Sequence, residues 1–367
     1  MAGIGDIFNT LKRFSEAFGV AGFEDDIRNI VIDSLKDYAD EVRVDSLGNV
    51  IFKKSGGEAG RKLMIAAHMD EIGLMVSHIS KSGFIYFKPI GGWNALILPG
   101  QRVLIKARDG EVHRGVVGHI PPHILKPEEA KKVPELEKLY IDIGAKSDEE
   151  VKKLGIEVGS PIVIERTVER LALNNIVTGK AFDDRVGLAV LAHVLMEVEE
   201  PPVDFYAVAT VQEEVGLKGA RTSAFSISPD IALALDVTIA ADLPGVSEQD
   251  QLSKVGGGPS ITVMDGRAGS GIIANPHIKN RLVEIAERLK IPYQLEVLSG
   301  GTTDASIIAL NKEGVPAGVV SIPTRYIHSP VEVLSLEDCV NAVKLVKEFV
   351  AESTPDWIES IIYRVVK

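Results

Sequence analysis

The sequence predicts an α/β protein, with a mixed, mostly parallel sheet sandwiched by helices and a small β-barrel inserted into it. Three observations predict this. Near-continuous apolar runs recur at 62–67, 205–211, 231–235 and 318–322, as expected of strands buried on both faces. Helical patterns alternate with them at 185–198, at 277–290 and from Leu336 onward, the order of a parallel sheet with crossover helices. Between about Gly73 and Glu165 the character changes to short alternating runs such as Gly83-Phe84-Ile85-Tyr86-Phe87 and Arg102-Val103-Leu104-Ile105, the signature of an antiparallel module.

Taken in order, the first 70 residues read as helix, helix, strand, strand. Ile7, Leu11, Phe14 and Phe18 give the first helix one apolar face. Leu47-Gly48-Asn49 marks a turn between Glu41-Val42-Arg43-Val44 and Val50-Ile51-Phe52, and Asp109-Gly110 is a hairpin signal inside the inserted module. Ser335 with Asp338 three residues on predicts a capping box for the last helix, whose Leu336, Cys339, Val340, Val343 and Val350 share a face. The expected division is 1–72 with 166–367 as one α/β domain, and 73–165 as the insert.

Composition narrows the function. With 40 Lys+Arg against 52 Asp+Glu in 367 residues, the net charge is −12, and the densest basic pairs, Lys131-Lys132 and Lys152-Lys153, sit among acids. A phosphate-tracking surface needs clustered cations, so no nucleic-acid partner is expected. The single Cys339 excludes an internal disulfide and a Cys-built zinc site and reads as a buried, inert thiol. No run approaches the roughly 18 apolar residues of a membrane span, and charged residues interrupt the first apolar pattern, unlike a signal peptide. No membrane partner and a cytoplasmic location are the default expectations.

Four apolar strands deliver a metal-type side chain at or just beyond their ends: His68, the pair Glu213-Glu214, Asp236 and His328. The carboxyl ends of strands in open α/β sheets form the ligand crevice, so these groups should converge. Asp183, in Ala181-Phe182-Asp183-Asp184-Arg185 at a helix start, is a fifth candidate. Two imidazoles with several carboxylates suit zinc, cobalt or manganese rather than calcium. Five such groups exceed what one tetrahedral ion needs, so two ions sharing a carboxylate are expected, with one acid of the Glu213-Glu214 pair binding metal and the other free to take a proton. Asp70, two residues after His68, is placed to orient the imidazole.

Six segments, Ala66-Ala67-His68-Met69-Asp70-Glu71-Ile72-Gly73, Ala181-Phe182-Asp183-Asp184-Arg185, Val211-Gln212-Glu213-Glu214-Val215-Gly216, Ala234-Leu235-Asp236-Val237, Gly300-Gly301-Thr302-Thr303-Asp304-Ala305 and Ile327-His328-Ser329-Pro330, together resemble the TET-type dinuclear metallo-aminopeptidases, the glutamyl and deblocking aminopeptidase family. The resemblance is in order and covers essentially the whole chain. It implies a zinc-peptidase-like catalytic domain interrupted by a PDZ-like barrel used for dimerisation. It further implies two divalent ions per subunit, zinc or cobalt, with Asp183 bridging, His68 and Asp236 completing one site and Glu214 and His328 the other. Glu213 would be the general base for a water bridging the ions, Asp70 the orienting acid, and Gly301, Thr302 and Asp304 part of a substrate-lining loop. The Thr302-Thr303 run is one residue longer than the Gly-Gly-Thr-Asp form of related peptidases, which leaves the role of Asp304 open. The implied substrates are peptides with a free N-terminus, and the implied assembly is a dimer and a tetrahedral dodecamer enclosing the active sites.

Gly256-Gly257-Gly258 and Gly266 to Gly271 lack the spacing of a phosphate loop and read as flexible loops. His78, His113 and His193 read as packed or surface groups, whereas His119 and His123, beside Pro121-Pro122, are placed to reach a neighbouring subunit's site. A Lys/Glu-rich loop is expected over 121–139. The alternatives are a related dinuclear deacylase or carboxypeptidase, a metal-free glycosidase using paired carboxylates, and a scaffold that keeps its metals for assembly.

Overall fold

Leu63, Ile65 and Ala67 of the strand Lys62–His68 are buried in one hydrophobic cluster, Met64 and Ala66 in another. A strand with both faces covered must be apolar throughout, and its alternate side chains then feed two separate cores. The computed structural model describes residues 3–362 apart from 58–59, 125, 127, 129–131 and 174. In it Asp204–Thr210 pairs in parallel with Lys62–His68, Thr210 opposite His68. Ile231–Ile239 lies parallel on the other side, and Ala317–Arg325 lies parallel beyond it. These four strands are the parallel centre of a mixed sheet. Its flanks are antiparallel, with Glu41–Val44 and Val50–Lys54 on one side and Glu332–Ser335, Ile176–Gly179 and Glu169–Arg170 on the other.

One face is covered by Phe182–Glu197, which packs on the central strands beneath Ile4–Ser15 and Leu336–Glu352. Being covered in turn, this helix is buried from Phe182 to Leu195 except at Asp183, which explains its apolar character all round. Lys218–Ile227 and Asp304–Ile308 cover the other face. The crevice at the carboxyl ends of the parallel strands is thus left open between two walls of helix.

Gly73–Ile79, Ile85–Ile90, Arg102–Lys106, Val112–Gly118, Tyr140–Asp142 and Pro161–Ile164 close an antiparallel barrel with its own core around Leu74, Phe87, Val103, Ile105, Ile141 and Ile162. Gly110, at φ +91°, makes the Asp109-Gly110 turn. Of the loop expected over 121–139, residues 125, 127 and 129–131 lie outside the described residues. Among the described residues no helix is long and apolar enough to cross a membrane.

Two local expectations are corrected. Ser335 caps the last helix by accepting from the Glu337 N–H, but Asp338 does not complete a capping box. Its carboxylate instead accepts the N–H groups of Gly256 and Gly258 at 2.7 and 2.8 Å. The first glycine run is therefore a tethered turn rather than a flexible loop, because a buried carboxylate facing two unpaired backbone donors forms stronger bonds there than across a solvated helix start. Cys339 is fully buried, and burial pushes its thiol well up.

Candidate active site

His68 ends its strand, and Asp236 lies two residues beyond Ala234, the partner of Ala66. Both therefore reach the crevice at similar height. The segments carrying the other candidates bend sharply: Ala181, Gln212 and His328 have φ of 52°, 55° and 59°, left-handed conformations that non-glycine residues adopt at a cost and that cluster at functional sites.

Asp183 stands between the two histidines, its Oδ1 3.2 Å from His68 Nε2 and its Oδ2 3.2 Å from His328 Nε2. Glu214 Oε1 is 3.2 Å from the same His328 nitrogen, and Glu213 Oε2 is 3.9 Å from His68 Nε2. Two groups of side chains come close enough to share an ion: His68 with Asp183 and Glu214, and His68 with Asp184 and Asp236. Asp184, not singled out by the sequence reading, already accepts the N–H of His68 through Oδ2 at 3.2 Å and of Gly187 through Oδ1 at 2.9 Å.

The electrostatics are lopsided. Among the described residues no Lys or Arg forms an ion pair with Asp183, Asp184, Glu213, Glu214 or Asp236. Burial, reinforced by neighbouring carboxylates, pushes Glu213, Asp184 and Asp236 well above the ordinary carboxylate range. Asp183 moves the other way: against the cost of burial, hydrogen bonds from His328 and His68 hold it low. Asp183 and Glu214 in turn raise His328 to about 11 despite its own burial. Glu214 Oε1 and Asp304 Oδ1 are buried without an aligned hydrogen bond. Surplus buried negative charge with orphaned oxygens is what a divalent cation neutralises, so the residues present fit such a group.

Backbone pinning holds the set in place. Asp70, fully buried, accepts the N–H groups of Glu213 and Glu214 at 2.9 and 3.1 Å. The His68 ring is oriented chiefly by the Asp70 backbone carbonyl, 3.0 Å from Nδ1, while the Asp70 carboxylate lies 3.6 Å away. Glu332 was not foreseen. Its Oε2 accepts from Phe182 N–H at 2.5 Å and Asp183 N–H at 3.2 Å, and its Oε1 from His328 N–H at 2.9 Å. Behind it, Lys180 and Glu71 form a buried ion pair at 2.7 Å.

Asp304 is buried beneath the centre and accepts from Thr210 Oγ1 at 2.6 Å, whereas Gly301, Thr302 and Thr303 line a cavity of 780 Å³ that opens beside Asp183, Glu213 and His328. On the opposite side the inserted module approaches: a Cβ on Gly92 would lie 3.0 Å from His328 Nδ1, and Trp93 lines the cleft next to Asp183 and Glu214. His123 is exposed on the barrel, as is His119, and His123 is not among the residues lining the cavity.

Residues 48–345 match the model of the M42 glutamyl aminopeptidases. The chain is 51% identical to the aminopeptidase APDkam598 from the archaeon Desulfurococcus kamchatkensis, whose structure superposes with a TM-score of 0.95 over 99% of each chain. It is 39% identical to the lysyl aminopeptidase of Pyrococcus furiosus over 94% of this chain and 97% of that protein. The Pyrococcus horikoshii TET1 peptidase, described as assembling into a tetrahedron or a large octahedral shell, is 33% identical, with a TM-score of 0.83 over 94% of this chain and 99% of that one.

Proposed function

From the premise that this chain belongs to the M42 glutamyl aminopeptidase family, we propose that it is a dinuclear metal-dependent aminopeptidase that removes the first residue of peptides. The observation that carries the reading is Asp183, one oxygen turned to each of two histidines within a cluster of carboxylates that pairs with no Lys or Arg among the described residues. Asp183 would bridge two divalent ions, His68 and Asp236 holding one and Glu214 and His328 the other. When bound, zinc or cobalt would supply Lewis-acid polarisation of the scissile carbonyl and acidify the attacking water.

Glu213 is the residue left to take that water's proton and pass it to the leaving amine. Its backbone is fixed by Asp70, and burial raises its proton affinity toward what a general base at neutral pH needs. Glu332 and Asp70 are positioning residues: they hold Asp183, His328, Glu213 and Glu214 through backbone N–H groups. The substrate's free α-amine meets a carboxylate-rich wall, which favours removal of a terminal residue over internal cleavage.

The division into a catalytic unit, 1–72 with 166–367, and a dimerisation insert, 73–165, belongs to the same proposal, as does self-association into a closed shell like that described for the TET1 peptidase. The family match favours neither the deacylase or carboxypeptidase alternatives nor the glycosidase. Release of chromophore from aminoacyl anilides, before chelation and after restoring zinc or cobalt, tests the reading. Activity should vanish with chelator, return with metal and be absent on amino-blocked substrates; hydrolysis that survives exhaustive chelation would overturn it.

A further inference from the structure

The cavity beside the proposed metal centre is lined by apolar side chains and by two acids outside that centre. Val237, Ile239, Leu243 and Leu298 line it together with Asp265 and Glu296. Both carboxylates are only 1% exposed. Asp265 Oδ1 accepts Ile272 N–H at 2.7 Å and Thr302 Oγ1 at 3.3 Å, but Asp265 Oδ2 is buried with no hydrogen-bond partner. Glu296 accepts from Thr238 Oγ1 and, at 3.0 Å, from Ser260 Oγ. Gly271 permits the arrangement, since a Cβ there would overlap Asp265 Oδ1.

Neither acid forms an ion pair with a Lys or Arg among the described residues, and no Lys or Arg lines the cavity. Two buried carboxylates lining one cavity, Asp265 with an unpartnered oxygen and close enough to raise Glu296, are unfavourable without a cation. They become favourable when a cation arrives on a stem that suits apolar walls, because a long side chain lays its methylenes along such walls and puts its charge at the end.

We propose that Asp265 and Glu296 form a specificity subsite for the cationic side chain, Lys or Arg, of the residue being removed; the proposal rests on the aminopeptidase reading above. Neither acid is assigned to the metal centre. Their carboxylates bond to Thr302, Thr238 and Ser260 rather than to any proposed metal ligand, and the one charge bearing on either of them is that of Asp265 on Glu296. The subsite is specific through its polarity: a residue with the same stem and no charge leaves both acids buried and unpaired.

The test compares kcat/KM for lysyl, arginyl, norleucyl and glutamyl coumarin amides on the full chain with zinc or cobalt restored. Norleucine keeps the Lys stem and removes only the ammonium. The lysyl substrate should exceed the norleucyl one by about tenfold or more, chiefly through KM, and the glutamyl substrate should be the poorest. In Asp265→Asn and Glu296→Gln the lysyl-to-norleucyl ratio should fall toward one. The ratio is internal to each preparation, so partial loss of folded variant does not obscure it. A wild-type ratio at or below one, or a ratio unchanged in both variants, overturns the subsite. Failure of all free-amine substrates under either metal overturns the aminopeptidase reading instead, and the subsite with it.

Discussion

Glu332→Gln is the most informative single change because it keeps shape and removes one acceptor. Glu332 accepts three backbone N–H groups, from Phe182, Asp183 and His328, and it is 1% exposed. A glutamine offers one oxygen and one NH₂, so whichever way the amide turns, at least one backbone N–H faces another donor. Hydrogen bonds to a charged acceptor contribute about 1.5–3 kcal/mol each, and a buried donor left unpaired costs about 1–3 kcal/mol. Burial pushes the Glu332 carboxyl well up while the N–H groups of Asp183 and His328 pull it down, so removing the charge refunds part of the desolvation cost. A net loss of about 1–3 kcal/mol remains, and it falls on the backbone of two proposed ligands rather than on the core. Residues that orient metal ligands typically alter metal affinity about 10–100-fold. The assay is calorimetric titration of the metal-free protein with cobalt, paired with its melting temperature. We expect weaker cobalt binding of that order, partial recovery of activity at high cobalt and a modest fall in melting temperature. Wild-type cobalt affinity in a folded variant would refute the claim that this carboxylate positions Asp183 and His328.

The remaining predictions separate chemistry, metal binding and stability. Glu213→Gln should keep both metals and lower kcat by about 10²–10⁴-fold, the usual range for losing a general base; full turnover at normal metal content would reassign the base. Asp183→Ala should lose metal, and elemental analysis returning full occupancy would remove it from the bridging position. Asp338 sits at about 6, raised first by burial and lowered in part by the N–H groups of Gly256 and Gly258. Because the folded-state value lies above the ordinary 3.8 of a carboxyl, the folded protein binds the extra proton between about pH 4 and 6. The contribution of Asp338 to stability is therefore most favourable below about pH 4 and declines as pH rises to about 6, by an amount on the order of 3 kcal/mol. Asp338→Asn should flatten that part of the stability curve measured by urea unfolding, and an unchanged slope between those pH values would contradict the assignment.

How much of this was legible in the sequence follows from what each residue's role depends on. His68 and the Glu213-Glu214 pair were legible because they close or follow an apolar strand, and a strand's end in a parallel sheet is a position in space as well as in sequence; Asp236 was legible after the apolar run 231–235, although its strand continues to Ile239. The strands themselves were legible because Leu63-Met64-Ile65-Ala66-Ala67 can satisfy two cores only if both faces are covered. Asp338 shows where that logic stops. Its spacing from Ser335 matches a local capping pattern, yet two glycine N–H groups some eighty residues earlier claim the carboxylate, and no local pattern records a competitor so distant. Glu332 was invisible for the same reason: its partners, Phe182 and Asp183, arrive from the far side of the chain. The approach of Gly92 and Trp93 to His328 depends on how the insert docks. Side chains proposed to touch the metals were thus encoded by strand ends and, for Asp183, by a helix start, whereas the backbone contacts that Glu332 and Asp70 make behind them are encoded only by the packed fold. Mutations at Glu332 and Asp70 consequently test the structure, while mutations at Glu213 and Asp183 test a chemistry that the sequence alone already implied.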